Sequence, residues 1–143
     1  MVCKELLTRG RTWGSSFVGR MAGERRLLTE FSGGLRSFAK DLKDSNLLDR
    51  VVVMVFSEFG RRVQENGSAG TDHGATGPVL LAGSSLRRGL VGDHPSLTDL
   101  TEGDLKMSID FRSIYASMLT NWLQIDAQPV LGTAPSSLEL FTA

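Results

Sequence analysis

The stretch from Arg50 to Gly77, RVVVMVFSEFGRRVQENGSAGTDHGATG, limits the possible folds more than any other part of the chain. Val51, Val52, Val53, Met54, Val55 and Phe56 run without polar interruption, then give way to Ser57-Glu58-Phe59-Gly60-Arg61. A β-branched run with no alternation signals a strand covered on both faces, which predicts an α/β protein with a mainly parallel sheet. In such sheets ligands bind beyond the carboxyl ends of the strands. The polar loop that closes on Thr71-Asp72-His73-Gly74 follows that end of the run, so it is the candidate site.

Composition narrows the partners. Acidic and basic residues balance at 16 each, so no net field favours nucleic acid or a membrane surface. No apolar run approaches the roughly 18 residues of a spanning helix, and the N-terminus lacks the apolar segment of a secretory signal. The single Cys3 has no internal partner and fits a reducing compartment, so the expectation for the chain as it stands is cytoplasmic. Residues 1–23 carry Lys4, Arg9, Arg11 and Arg20 among Ser and Gly and read as a loose basic arm. Residues 24–143 are then the structured portion.

Within that portion, Leu28, Phe31, Leu35, Phe38 and Leu42 recur at helical spacing and predict an amphipathic helix from Glu24 to about Asp44, with one buried stripe. Pro78 to Ala82 reads as a second short strand, Leu86 to Val91 as a hairpin arm, and Asp93 to Asp104 as loop. Asp110 is placed to cap a helix running to about Leu123, and Leu138 to Phe141 reads as a last strand. One strong strand and two helices are thin for a self-sufficient doubly wound domain. The expectation is a C-terminal portion of a larger fold, or a sheet completed by a partner chain.

Asp72 and His73 offer a carboxylate oxygen and an imidazole nitrogen, a pair that zinc accepts; the carboxylate also suits magnesium, calcium or manganese. Glu58, leaving the apolar strand, is the candidate third ligand or general base. Arg61 and Asn66 are the candidate contacts for an anionic ester substrate, with Arg62 and Ser68 nearby. Each residue also has a structural reading: Asp72 as a turn cap, Glu58 with Arg61 or Arg62 as a surface ion pair. His94, in Asp93-His94-Pro95, reads as an exposed loop histidine. Ser57 lies outside any Gly-x-Ser-x-Gly elbow, and neither a dinucleotide nor a P-loop fingerprint is present. No catalytic nucleophile is assigned.

The segment from Asp41 to Leu123 closely resembles the C-terminal portion of a bacterial family, the domain of unknown function fifteen-oh-one. The resemblance rests on Ser57 to Arg61, Asn66 to Gly74 and Asp110 to Tyr115, and extends over roughly Leu27 to Phe141. That family is similar to the alkaline phosphatase and sulfatase superfamily, α/β/α sandwiches that hold divalent metals at strand ends and hydrolyse phosphate or sulfate esters. The resemblance implies a partial α/β/α sandwich in which Asp72 and His73 match the superfamily's metal pair. Full-length members are much longer and often exported. The nucleophile region lies upstream of anything matched here, and Trp13-Gly14-Ser15-Ser16 stands where members carry Trp-Asp-Thr-His. The expectation is therefore a truncated relative of metal-dependent ester hydrolases that keeps half of a metal site. The alternatives are a non-catalytic remnant or interaction module, and a metal-independent anion-binding domain using Arg61, Arg62, Arg87 and Arg88.

Overall fold

The computed structural model describes residues 21–68, 70–132 and 136–142, with side chains from residue 26 onward. The basic arm therefore lies almost entirely outside the described residues, as do Trp13 to Ser16. Helix α1 spans Met21–Asp44. Exposed pairs one turn apart, Arg26 with Glu30 at 3.7 Å and Lys40 with Asp44 at 2.6 Å, line its polar side. It stops at Asn46, which takes a left-handed conformation (φ 56°), while the Leu47 amide donates back to the Leu42 carbonyl at 2.8 Å. The stripe expected to be buried is mostly open: Leu28, Phe31 and Phe38 are exposed, while Leu35 and Leu42 are half-buried.

A single 3-10 turn, Leu48–Arg50, leads into strand β1, Val53–Val55. Strands β2 (Gly60–Glu65), β3 (Thr71–Gly74) and β4 (Leu80–Ala82) follow, then β5 (Leu100–Thr101) and β6 (Asp104–Leu105). They form three separate two-stranded ribbons, β1 with β4, β2 with β3 and β5 with β6, all antiparallel. This overturns the expected mainly parallel sheet and, with it, the partial α/β/α sandwich. The reason lies in the connections. A parallel pair needs a crossover of a dozen or more residues, usually through a helix. Between β1 and β4 the chain instead folds the β2–β3 hairpin and comes straight back, pairing Val53 with Ala82 and Val55 with Leu80. The apolar run that read as a central strand is only half-buried along β1.

Hairpin β5–β6 turns through Glu102 and Gly103, both at positive φ (51° and 87°), the two-residue turn whose twist matches its flanking strands. Helix α2, Phe111–Ser117, passes directly into a wider π-type turn, Met118–Trp122, and a short helix α3, Gln128–Leu131, follows. The core is small. Leu81, Leu86 and Leu140 form its centre, and Val52, Met54, Val79, Val91, Ile114, Met118, Leu138 and Phe141 pack around them. The C-terminal segment joins this core through one isolated bridge, Leu86 with Phe141, rather than the expected strand. Among the described residues no helix is long and apolar enough to cross a membrane.

Candidate functional site

The residues singled out in the sequence gather on the β2–β3 hairpin. Asn66 builds its loop. The Asn66 Oδ1 accepts from the Ser68 and Gly70 amides at 3.0 and 3.1 Å, and the Asn66 amide donates to the Gly70 carbonyl at 2.8 Å. This is the asparagine turn in which a short polar side chain replaces a backbone partner. The other end of the same side chain, Nδ2, donates to Asp72 Oδ1 at 2.8 Å. Both ends of the Asn66 amide are thus engaged inside the loop.

On the strands, Arg61 stands opposite His73. The His73 ring stacks on Phe59, with centroids 3.7 Å apart and planes at 11°, and the Arg61 guanidinium lies 5.4 Å from the Phe59 ring centroid. Arg61 also donates from Nη1 to the Thr71 carbonyl at 2.8 Å. Asp72 and His73 are both exposed. Successive residues of a strand project to opposite faces, so the Asp72 carboxylate, turned to Asn66, and the His73 imidazole, laid on Phe59, do not converge on one point. Glu58, exposed at the head of the hairpin, accepts from the Ser57 hydroxyl at 3.4 Å. Among the described residues no three His, Cys, Asp or Glu side chains are grouped as a metal ion requires. The described residues by themselves therefore group no donor set that fits a resident divalent ion.

Two glycines fix the hairpin. A Cβ at Gly60 would stand 1.6 Å from the Thr76 carbonyl oxygen, and one at Gly74 would stand 2.9 Å from the Arg61 carbonyl carbon and 3.0 Å from Asp104 Oδ1. Asp104 is an acidic neighbour that sequence reading missed, for it lies 30 residues beyond Gly74 in a stretch marked only as loop. Its Oδ1 is buried and meets Arg62 Nε at 3.4 Å, an ion pair without hydrogen-bond alignment. Thr76 Oγ1 ties the same region to the Leu105 carbonyl at 3.0 Å.

The Asp110 to Tyr115 motif performs a structural task. Asp110 accepts from the Arg112 amide at 2.9 Å as the helix cap, and Arg112 folds its guanidinium back onto the same carboxylate. Tyr115 meets Phe111 and Phe56 edge-on, with centroids 5.5 and 6.3 Å apart, and so braces α2 against the segment that follows β1. The side-chain and then the backbone hydrogen bonds from Arg112 hold the Asp110 carboxyl below its ordinary value of 3.8. A depressed carboxyl stabilises the folded state above the unfolded-state pKa, and that contribution fades as pH falls through the folded-state pKa. Thermal melts across acid pH are therefore expected to show wild type above Asp110→Asn near neutrality, with the gap closing below about pH 3.8. A gap that persists at the acid end would remove this carboxylate from the account.

Elsewhere, His94 Nδ1 lies 3.0 Å from the Pro95 carbonyl in an exposed loop, and Arg87 pairs with Glu139 at 2.6 Å. No curated protein and no solved structure matches the chain. Residues 18–133, which include the Gly60 crossing, the Asn66 loop and the Asp110 cap, match a family described as Protein of unknown function (DUF1501), and the chain belongs to that family.

Proposed function

We propose that the chain is a non-catalytic interaction module, derived from metal-dependent phosphate or sulfate ester hydrolases, that keeps the Asp72-His73 hairpin without a complete metal centre. The observation that carries this reading is the divergence of the two donors. Asp72 is held by Asn66 on one face, His73 is stacked on Phe59 on the other, and no third ligand is grouped with either among the described residues. Anion binding finds less support, since Arg61 is turned to a backbone carbonyl, Arg62 to Asp104 and Arg87 to Glu139.

A second reading keeps the metal. Asp72, His73 and Glu58 are all exposed, so a partner polypeptide bringing further ligands reaches them without unfolding the hairpin. Zinc titration by calorimetry, together with nitrophenol release from phosphate and sulfate esters, separates the two. The module reading expects no saturable zinc isotherm at micromolar protein and no release. Stoichiometric binding that Asp72→Ala with His73→Ala abolishes, accompanied by ester hydrolysis, would overturn it in favour of an enzyme.

A further inference from the structure

We propose that Asn66 is a self-modification site, which closes a cyclic imide with Gly67 and opens to aspartate or isoaspartate, and that Asp72 holds this reaction off in the folded hairpin. The chain has three asparagines, and only Asn66 precedes a glycine; Leu47 follows Asn46 and Trp122 follows Asn121. A glycine offers its backbone nitrogen with no side chain crowding it. In the reaction that nitrogen gives its proton to solvent and bonds to Asn66 Cγ, the Cγ–Nδ2 bond breaks, and ammonia leaves with a proton from water. Water then adds to one of the two imide carbonyls and opens the ring, so no oxidant, cofactor or second protein is required. The reacting groups are neighbours in the chain, so the step is intramolecular from the start. Gly67 is exposed, so water reaches it.

The hydrogen bonds around the Asn66 side chain act in opposite directions. Its Oδ1 accepts from the Ser68 and Gly70 amides at 3.0 and 3.1 Å. Negative charge builds on that oxygen as Cγ is attacked, and two amides aimed at it favour the attack, as donors do around any forming oxyanion. Its Nδ2 donates to Asp72 Oδ1 at 2.8 Å. A bond to a carboxylate is roughly twice as strong as one between neutral groups, and this one ties down the leaving nitrogen. Ring closure has to turn the amide plane toward Gly67 and release Nδ2, so it has to break this bond. The hold on Nδ2 outweighs the pull on Oδ1 while Asp72 is in place. Removing Asp72 keeps the two favourable donors and frees the nitrogen.

The products do not suit the hairpin. Aspartate puts an oxygen where Nδ2 stood, facing the Asp72 carboxylate across the 2.8 Å that a donor and an acceptor now share. Isoaspartate adds a methylene to the main chain at the head of the turn. Both work against the loop in which the Asn66 amide donates to the Gly70 carbonyl at 2.8 Å, beside the paired Glu65 and Thr71. The reaction runs one way, from a closed hairpin to a loosened one, and Asp72 sets its rate. The inference does not rest on the module reading, since Asp72 acts on Asn66 whatever the hairpin once held.

The full chain is incubated in mildly alkaline buffer with a chelator, and mass spectrometry with fragmentation that separates positions 66 and 72 follows acid formation at Asn66. The rate in the folded wild type is expected to be at least about 10-fold below that of the same chain in guanidinium chloride. Asp72→Ala should raise the folded-state rate at least about 5-fold, with Asp72→Asn, which keeps an oxygen acceptor without the charge, in between. Hydrogen exchange at the Asn66 amide tells a freed side chain from a melted loop, and Asp72→Ala is expected to keep its protection there. A wild type that reacts as fast as the unfolded chain would overturn the proposal, as would an Asp72→Ala rate no higher than wild type. So would loss of that protection in Asp72→Ala with Asp72→Asn reacting equally fast, because the rate would then report a melted loop and not the bond to Asp72.

Discussion

Gly60→Ala is expected to destabilise the chain by at least about 3 kcal/mol and to disorder the β2–β3 hairpin. The added methyl would stand 1.6 Å from the Thr76 carbonyl oxygen, 2.3 Å from its carbon and 2.9 Å from the Gly77 nitrogen. All three are backbone atoms, so no rotamer change relieves the clash. Gly60 is buried, and the chain crosses it because β2 must leave Phe59 while the segment after Gly74 passes over the same point toward β4. Moving either segment breaks the pairing of Gly60 with Gly74 and of Arg61 with His73. Gly67→Ala is the control: it sits in the same hairpin's loop with nothing within 4 Å, and should change stability by less than about 0.5 kcal/mol. Urea unfolding of both variants reads the difference. Equal midpoints for the two would show that the crossing is not as tight as its geometry.

That crossing explains how much of the candidate site could be read in advance. The motif residues Ser57 to Arg61 and Asn66 to Gly74 were visible as a unit because glycine and asparagine punctuate them. What the letters could not show was which demands are structural. Asn66 looks like a substrate contact, yet it spends its amide on the loop and on Asp72. Asp72 and His73 look like a ligand pair because they are adjacent. Adjacency serves a metal only on an irregular backbone, and β3 is a strand that sends neighbours to opposite faces. Asp104 left no local signal, since its position beside Gly74 depends on a loop closing 30 residues later.

The fold was legible where the signal was local. The Asp110 cap, the amphipathic α1 and the β4 segment are each fixed by a few neighbouring residues. The sheet was not. Val51 to Phe56 carries the composition of a strand buried on two sides, but composition cannot say how the chain returns. Direction is decided by the connection, and the connection to β4 contains a hairpin and no helix. Phe56 at the end of that run, and Leu28, Phe31 and Phe38 on α1, stay exposed.

Ser117→Ala is expected to cost about 2 kcal/mol, far more than an exposed serine, and to loosen the C-terminal segment first. Ser117 is fully buried. Its Oγ lies 2.8 Å from the Ser113 carbonyl and 3.0 Å from the Leu138 carbonyl, and accepts from the Leu138 amide at 2.6 Å. One hydroxyl hydrogen serves one carbonyl at a time, so the bond that only the oxygen can supply is the one accepted from Leu138. Alanine leaves that half-buried amide without this acceptor, and it is the orphaned donor that costs most. The loss propagates because the segment it anchors seats Leu140, only 2 % exposed, in the core, and stacks Phe141 on Trp122 at 5.9 Å. The Arg87 amide, which donates to the Leu140 carbonyl, and the Thr142 amide, which donates to the Ser85 carbonyl, report the docking directly. In the variant, hydrogen exchange should speed at Arg87 and Thr142 while the α2 amides remain protected. Ser137→Ala, at an exposed position next to the anchor, should leave both rates as they are. If Arg87 and Thr142 keep their protection in Ser117→Ala, the segment is held by the burial of Leu140, the Phe141 stack and its bridge to Leu86, and the serine is not its anchor.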